Sequence, residues 1–333
     1  MRAMRLFEQK DISQNPLELR DVPIPQPGPG QVRLRVQVCG ACHTDLHTVE
    51  GDIHPPHLPV TPGHQVVGVI DALGEGASGR SLGQRVGVPW LYSADGACEY
   101  CRRGQENLCP QARFTGFDVD GGFAEYMLAQ ADYTLPLPDA VEDVQAAPLL
   151  CAGIIGYRSL RQAELQPGMR LGLFGFGASA HLSIQVARHW GCEVYVFTRT
   201  PAHRRHAEEL GAAWTGGADD APSQPLDCAV TFAPAGSLVP KALEKLRPGG
   251  TLAINAISMT PIPEMPYERI YGERTLRSVT NATYQDGEEF LALAAEIGIQ
   301  STVSLYDLED ANQALVELRQ GKIRGAKVLR VTS

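Results

Sequence analysis

The stretch 171-LGLFGFGASAHL-182 decides the fold. An apolar run ends in Gly175-x-Gly177-x-x-Ala180, and a helical pattern follows at once. The first glycine permits a tight turn, and the second lets the backbone approach a pyrophosphate. The third position must be small for helix–strand packing, and alanine serves there. The free N–H groups at the start of the helix then face the phosphates. Alone, the motif is a common turn; between a strand and a helix it predicts a dinucleotide site.

The surrounding segments carry the same rhythm. Strand-like 192-CEVYVFT-198, helical 202-AHRRHAEELG-211, strand-like 226-LDCAVTFA-233, helical 237-SLVPKALEKLRPGG-250 and strand-like 251-TLAINAI-257 alternate with short connections. Such alternation means a parallel sheet with helices on both faces, a Rossmann doubly wound α/β fold. The first 150 or so residues read differently. Short runs such as 31-QVRLRVQVCG-40, 66-VVGVIDALG-74 and 123-FAEYMLA-129, broken by Gly and Pro, predict an irregular β-barrel-like domain. After residue 275, 275-TLRSVTNATY-284, an amphipathic 286-DGEEFLALAAEIG-298 and a strand-like 326-AKVLRVTS-333 are expected to return to that first domain. The expected division is 1–151, 152–276 and 277–333.

At the end of the second Rossmann strand, an NAD-specific fold expects an acidic residue on the ribose hydroxyls. The chain has 196-VFTRTPAHRR-205 instead, with Thr198 and Arg199 at that place. No carboxylate repels a 2′-phosphate, and Arg199, assisted by Arg204 or Arg205, can pair with one. NADP(H) is therefore the expected cofactor, with NAD(H) the alternative.

The 333 residues carry a formal net charge of −9, which argues against a nucleic-acid partner. No apolar run approaches a membrane span, and the N-terminus has no signal-like segment. The expected setting is cytoplasmic, where disulfides are rare, so the eight cysteines read as metal ligands, reactive groups or core filler. Cys39, Cys192 and Cys228 fit the last of these. The run 95-DGACEYCRRGQENLC-109 holds Cys98, Cys101 and Cys109 as C-x2-C-x7-C, most of a zinc site. Cys42, His64 and Cys151 each lie beside glycine where strand meets turn, but spacing alone does not connect them.

Taken together, 39-CGACHTDLHTVEGD-52, 63-GHQVVGVI-70, 86-VGVPWL-91, 121-GGFAEYMLA-129, 147-APLLCAGIIGYRSL-160 and the glycine turn resemble, collinearly and over nearly the whole chain, a zinc-dependent alcohol dehydrogenase of the medium-chain dehydrogenase/reductase superfamily. The resemblance implies a GroES-like catalytic domain and a Rossmann domain. It implies Cys42, His64 and Cys151 as ligands of a catalytic zinc, Thr44 as the hydroxyl on the substrate oxygen, Asp45 behind the metal ligands, and His47 as the end of a proton relay. His43 would lie near the cofactor phosphates. The chemistry is reversible oxidation of an alcohol to an aldehyde or ketone, with hydride passing to the nicotinamide. Homo-oligomers, tetramers or dimers, are usual for such enzymes.

The family's lobe, here about 90–112, carries C-x2-C-x2-C-x7-C. Counting back from Cys98 lands on Asp95, so Asp95, Cys98, Cys101 and Cys109 form a candidate structural zinc site with one oxygen ligand. Three other positions depart from the pattern. Gln65 stands for a glutamate after the zinc histidine. Tyr284 stands for an arginine. Ala326 stands for a late arginine, with Arg324 nearby to compensate. A polyol or sugar dehydrogenase of the same superfamily, and a zinc- and nucleotide-binding protein without turnover, are the competing readings. Trp90 favours uncharged alcohols over polyols, and the presence of Thr44 and His47 favours turnover. His54 and His57 read as a substrate-side loop. His181, His189, His203 and His206 read as helix-surface residues.

Overall fold

A computed structural model describes residues 1–321 and 325–332; Arg324 lies outside the described residues. The chain divides into two compact units. One comprises Met1–Cys151, Asn281–Ala295 and the chain from Ser301; the other comprises Ala152–Thr280 and Glu296–Gln300.

The second unit is built around the strand Arg170–Phe174, where Leu171, Leu173 and Phe174 are fully buried. Burial on both faces explains why this strand reads as a continuous apolar run instead of an alternating one. Six parallel strands run in the order Trp214–Gly216, Glu193–Phe197, Arg170–Phe174, Leu226–Thr231, Leu246–Ile254, Thr275–Ser278. The chain therefore starts at the centre, builds outward to one edge, and returns to build the other. The reversal falls beside Arg170–Phe174, where a doubly wound sheet opens its ligand crevice. Helices Ala178–His189, Pro201–Glu209 and Leu238–Lys245 make the crossovers.

Several details differ from the sequence reading. Trp214–Gly216 is a strand of three residues, too short to show a period. The segment 246–250, read as a helix end, already belongs to the strand Leu246–Ile254. Thr275–Ser278 completes the parallel sheet. His181 and His206 are buried, at 1% and 5% exposure, and not surface residues. For His181 the reason is that residues 180–184 of the nucleotide helix are all buried, so its core face is wider than the stripe of Leu182 and Val186 suggested; His206 lies against it, with ring centroids 5.7 Å apart.

The first unit holds a seven-stranded mixed sheet centred on Gln31–Ala41. Val32, Leu34 and Val36 point into the core, while the intervening Arg33 and Arg35 are directed outward. Gln65–Leu73 pairs along the length of this strand, Tyr126–Gln130 along its first half, and Ala326–Arg330 along its last residues. Ala326–Arg330 thus lies inside the sheet, between Val303–Asp307 and the segment that leads into Cys42. A short ladder, Leu91–Ser93 with Arg113–Phe114, forms the base of the 90–112 lobe. Among the described residues no helix is long and apolar enough to cross a membrane.

Candidate metal centres and nucleotide turn

Cys42 is the N-cap of the helix His43–Glu50. Its sulfur accepts the Thr44 N–H at 3.4 Å, and Asp45 Oδ2 reaches back to accept the Cys42 N–H at 2.9 Å. This reciprocal cap uses a cysteine where serine or threonine is usual. It fixes the sulfur at the positive end of the helix, which favours the thiolate. The other oxygen of Asp45 accepts from the Gly63 N–H and from His64 Nδ1, both at 3.0 Å. Asp45 and His64 are buried, so three hydrogen bonds to one carboxylate join the helix start to the strand that begins at Gln65. Since a carboxylate only accepts, His64 carries a hydrogen on Nδ1, and Nε2 is the nitrogen left for a metal once its own proton is displaced. That nitrogen lies 3.3 Å from Cys42 Sγ.

Cys151 arrives from a third direction. The helix Asp143–Pro148 ends in a proline, which removes a backbone donor, and the next five residues, Leu149–Gly153, form a π-helical turn. Such widened turns recur at functional sites. The sulfur of Cys151 and the donor atoms of Cys42 and His64 all lie within 4.8 Å of one another. A hydrogen bond from Cys151, opposed by burial and aided by the charge of His64, holds the Cys42 thiol well below its ordinary range. The same bond and burial push Cys151 up. Burial works against a charged His64, yet Asp45 and Cys42 outweigh it and push it up to about 10. The pocket thus holds protons in positions that a divalent cation would displace. Two sulfurs and an imidazole with its tautomer fixed from behind fit zinc, and three protein donors leave one tetrahedral position open.

Trp90 forms one wall of this pocket. Its ring meets His64 edge-on and stacks on Phe114, with Phe117 tilted beside it. Thr44 is half-buried one residue beyond exposed His43. His47, one turn on, is paired through Nδ1 with Asp52 Oδ2 at 2.6 Å. Sequence reasoning missed Asp52. The signal available was a carboxylate directly after the glycine that ends the helix. Phe114 and Phe117 were missed as well, since nothing local marks them as neighbours of Trp90. Gln65 is buried, and its Nε2 has no hydrogen-bond partner among the described residues.

In the lobe the donor atoms of Asp95, Cys98, Cys101 and Cys109 lie within 4.8 Å of one another. Asp95 Oδ1 accepts the N–H groups of Ala97 and Cys98, both at 2.8 Å. Cys98 Sγ accepts the Cys101 N–H at 3.4 Å, and Cys109 Sγ accepts the Gln111 N–H at 3.3 Å. The amides of Cys98 and Ala97 hold the Asp95 carboxyl well below the usual range. Burial and the neighbouring Cys98 push Cys101 up to about 12. Four converging donors, with backbone N–H groups turned toward them, fit a closed tetrahedral site.

In the nucleotide unit Gly175 has φ +93°, and a Cβ there would lie 3.0 Å from the Ala233 nitrogen. At Gly177 a Cβ would meet nothing within 4 Å. Protein packing therefore does not demand that second glycine, and its bare backbone leaves room for a ligand. Ala180 is fully buried, as helix–strand packing requires. Thr198 is buried, Arg199 is exposed, and Arg204 donates its Nε to the Thr198 carbonyl at 2.9 Å. Tyr284 begins the helix Tyr284–Ile297; its hydroxyl meets Arg80, and its N–H donates to Glu106 in the lobe. Ala326 is buried at the start of the strand Ala326–Arg330.

Comparisons with known proteins show the family. The alcohol dehydrogenase GroES-like domain matches residues 28–139, and the zinc-binding dehydrogenase model matches residues 180–296. A probable alcohol dehydrogenase, AdhA, of Mycobacterium tuberculosis is 47% identical over 99% of this chain and 97% of its own length. Cinnamyl alcohol dehydrogenase from Sorghum bicolor superposes with a TM-score of 0.89 at 28% identity, covering 98% of this chain and 97% of that one. A cobalt- and zinc-bound alcohol dehydrogenase from Pyrobaculum aerophilum gives 0.90 at 25% identity, with 99% of each chain covered. The chain belongs to the zinc-dependent alcohol dehydrogenases of the medium-chain dehydrogenase/reductase superfamily. It is an NAD(P)-dependent enzyme that interconverts alcohols and carbonyl compounds by hydride transfer.

Proposed function

We propose that the chain is an NADP(H)-preferring alcohol dehydrogenase or aldehyde reductase for small uncharged substrates, with one catalytic and one structural zinc. The observation that carries this reading is the contrast between the two donor clusters: three protein donors at Cys42, His64 and Cys151, four at Asp95, Cys98, Cys101 and Cys109. The first leaves a coordination position for substrate, and the second leaves none.

Zinc at the first cluster supplies Lewis acidity, polarising a carbonyl or making a bound alcohol more acidic. Asp45 orients the His64 ring and keeps its Nε2 toward the metal position. The hydroxyl of Thr44 hydrogen-bonds the substrate oxygen and passes its proton toward His47, which exchanges it with solvent. Trp90 limits the width of the pocket. At the glycine turn, Gly175 and Gly177 admit the pyrophosphate, and the helix Ala178–His189 presents its N-terminus to it. His43 contacts the cofactor phosphates. Exposed Arg199, with Arg204 anchored beside it, supports recognition of a 2′-phosphate.

We also infer a homo-oligomer. Thr275–Ser278 is the edge strand of its sheet and largely exposed, and Ile257, Tyr267 and Tyr271 in the same unit are more than half exposed. None of the eight cysteines is in a disulfide, which supports a reducing, cytoplasmic setting.

The test is NADPH oxidation against a panel of aldehydes, polyol-derived carbonyls and ketones, before and after chelation. Turnover with uncharged aldehydes, lost on chelation and restored by zinc, is expected. Absence of turnover across the panel would overturn the reading.

A further inference from the structure

The lobe carries its donors on a short and open stretch of chain. Residues 95–97, 99 and 102–105 are exposed, and Cys98 and Cys101 are half-buried among them, while Cys109 is buried. The Arg102 N–H donates to the Cys98 carbonyl at 3.1 Å, and the Cys101 N–H donates to Cys98 Sγ at 3.4 Å. The first bond closes one helical turn over residues 98–102. On such a turn, residues three apart share a face, with about 5–6 Å between Cβ atoms. The two sulfurs lie within 4.8 Å of each other. A disulfide needs about 3.5–4.5 Å between Cβ atoms, so a side-chain rotation and a slight tightening of this one turn would join them. Dithiol redox motifs use the same Cys-x-x-Cys spacing. Cys42 and Cys151 are also close, but they sit on separate elements, a helix cap and a π turn. A bond between those two must draw the elements together, whereas the lobe pair needs only its own turn to move.

Asp95 sharpens the consequence. A carboxylate cannot be oxidised as a thiol is, so the lobe has an odd number of sulfurs. Once Cys98 and Cys101 are joined, only the Asp95 oxygen and the Cys109 sulfur remain, half of the tetrahedral set that a structural zinc takes. We propose that Cys98 and Cys101 are a reversible, peroxide-sensitive thiol pair: their oxidation to a disulfide empties the lobe of its metal and loosens it, and a dithiol with zinc restores it. The release of metal rests on the reading of the lobe as a structural zinc site; the thiol pair rests on the turn itself.

The chemistry balances with a peroxide as the oxidant. Cys98 Sγ, whose negative charge the Cys101 N–H stabilises, attacks one peroxide oxygen. The S–O bond forms, the O–O bond breaks, and the departing hydroxide takes up a proton to become water. The Cys98 sulfenic acid is then attacked by Cys101 Sγ. The S–S bond forms, the S–O bond breaks, and the second hydroxide leaves as water with the remaining thiol proton. The two sulfurs lose two electrons in all, and the peroxide gains them. A dithiol reverses the change by thiol–disulfide exchange and is itself oxidised.

The experiment uses the full-length, zinc-loaded protein titrated with hydrogen peroxide. Zinc release is followed with a chromophoric indicator, the thiols by non-reducing peptide mapping, and stability by Tm. The expected result is release of about one zinc per chain, in step with a lobe peptide lighter by two hydrogens in which Cys98 and Cys101 are joined. The Tm should fall by several degrees, and dithiothreitol with zinc should restore metal, mass and Tm. In Cys101→Ser, Cys98 should stop at the sulfenic acid and be captured by dimedone.

A lobe peptide still reduced after Cys42 and Cys151 have joined would overturn the proposal. So would a Cys98–Cys101 disulfide that leaves the bound zinc and the Tm unchanged. The structural-zinc reading fails separately, through a zinc count made before any peroxide is added. About one zinc per chain at that stage would overturn the release of metal, while the mapped peptide would still decide the thiol pair.

Discussion

The ring of Trp90 meets the imidazole of His64 edge to face, with centroids 4.9 Å apart and planes at 76°. Phe114 stacks behind Trp90 at 5.1 Å, so the indole has little freedom to turn away from the metal ligand. The wall beside the open coordination position is therefore rigid. Trp90→Leu should widen the pocket and favour branched or aromatic alcohols over ethanol. A methylene in a hydrophobic pocket carries about 1–3 kcal/mol of discrimination, so the ratio of kcat/KM values should move by about tenfold or more. An unchanged ratio across a graded alcohol series would place the limiting wall elsewhere.

Asp45 holds three donors with two oxygens: the Cys42 N–H, the Gly63 N–H and His64 Nδ1. An asparagine side chain at this position would keep one acceptor and turn an NH2 group against a donor. Asp45→Asn should therefore weaken zinc binding at the catalytic cluster by about 10- to 100-fold, the usual effect of losing an orienting carboxylate behind a metal histidine. Competition with a chromophoric chelator measures this without an activity assay. Unaltered affinity would mean that the cap alone orients the ring.

The nucleotide turn was legible in sequence because its chemistry acts within six residues: a tight turn at Gly175, an approach at Gly177 and close packing at Ala180. The three donors of the first cluster were not connected by spacing. Cys42 is a helix cap, His64 immediately precedes a strand and Cys151 sits on a π turn, and only tertiary structure brings these three settings together. Family resemblance supplied the link. Asp95 was legible through the retained spacing of its lobe. The pairing of Asp52 with His47 was not, because it depends on a chain reversal at Gly51 instead of on helical periodicity. His181 and His206 were misplaced for the opposite reason. A helix packed deeply in an α/β unit buries polar residues that a single apolar stripe assigns to solvent.

Arg199 stands exposed directly after buried Thr198 at the end of the second Rossmann strand. A hydrogen bond to a charged group contributes about 1.5–3 kcal/mol. Arg199→Gln should therefore lower kcat/KM for NADPH by about 10- to 100-fold and change it little for NADH. Arg199→Asp should push the preference further toward NADH, since its carboxylate repels the 2′-phosphate. Parallel losses with both cofactors would assign Arg199 a structural part only.

The buried imidazole of His181 bears on acid stability. Burial, aided by the charge of His206, pushes it down to about 4, against about 6.5 for an exposed histidine. The unfolded chain therefore takes up this proton first as pH falls, and uptake favours unfolding. The effect is absent above about pH 6.5 and complete below about pH 4, and it amounts to about 3 kcal/mol at 1.36 kcal/mol per pKa unit. His181→Asn should lower stability somewhat at pH 7 yet flatten its decline between pH 6.5 and 4. Urea unfolding of both proteins across that window compares the slopes. Equal slopes would remove His181 from the acid response.

The lobe offers a separation of stability from turnover. Asp95 receives the N–H groups of Ala97 and Cys98 and converges with three sulfurs. The closed cluster has no position for substrate. Yet the lobe stands on the ladder Leu91–Ser93 with Arg113–Phe114, next to Trp90, and Tyr284 grips it through Glu106 at 2.7 Å. Loss of its metal should therefore loosen the lobe first and reach the Trp90–Phe114 stack second. Metal analysis of the wild-type protein should give about two zincs per chain, and Asp95→Ala about one. The Tm of Asp95→Ala should fall by several degrees, while kcat at low temperature should change less than about threefold. Asp95→Cys should retain both zincs and hold or raise the Tm, because a thiolate is the softer and better-matched zinc donor. A single zinc in the wild-type protein, bound at Cys42, His64 and Cys151, would mean that Asp95 caps an empty lobe. Asp95→Cys would then gain a metal that the natural chain lacks.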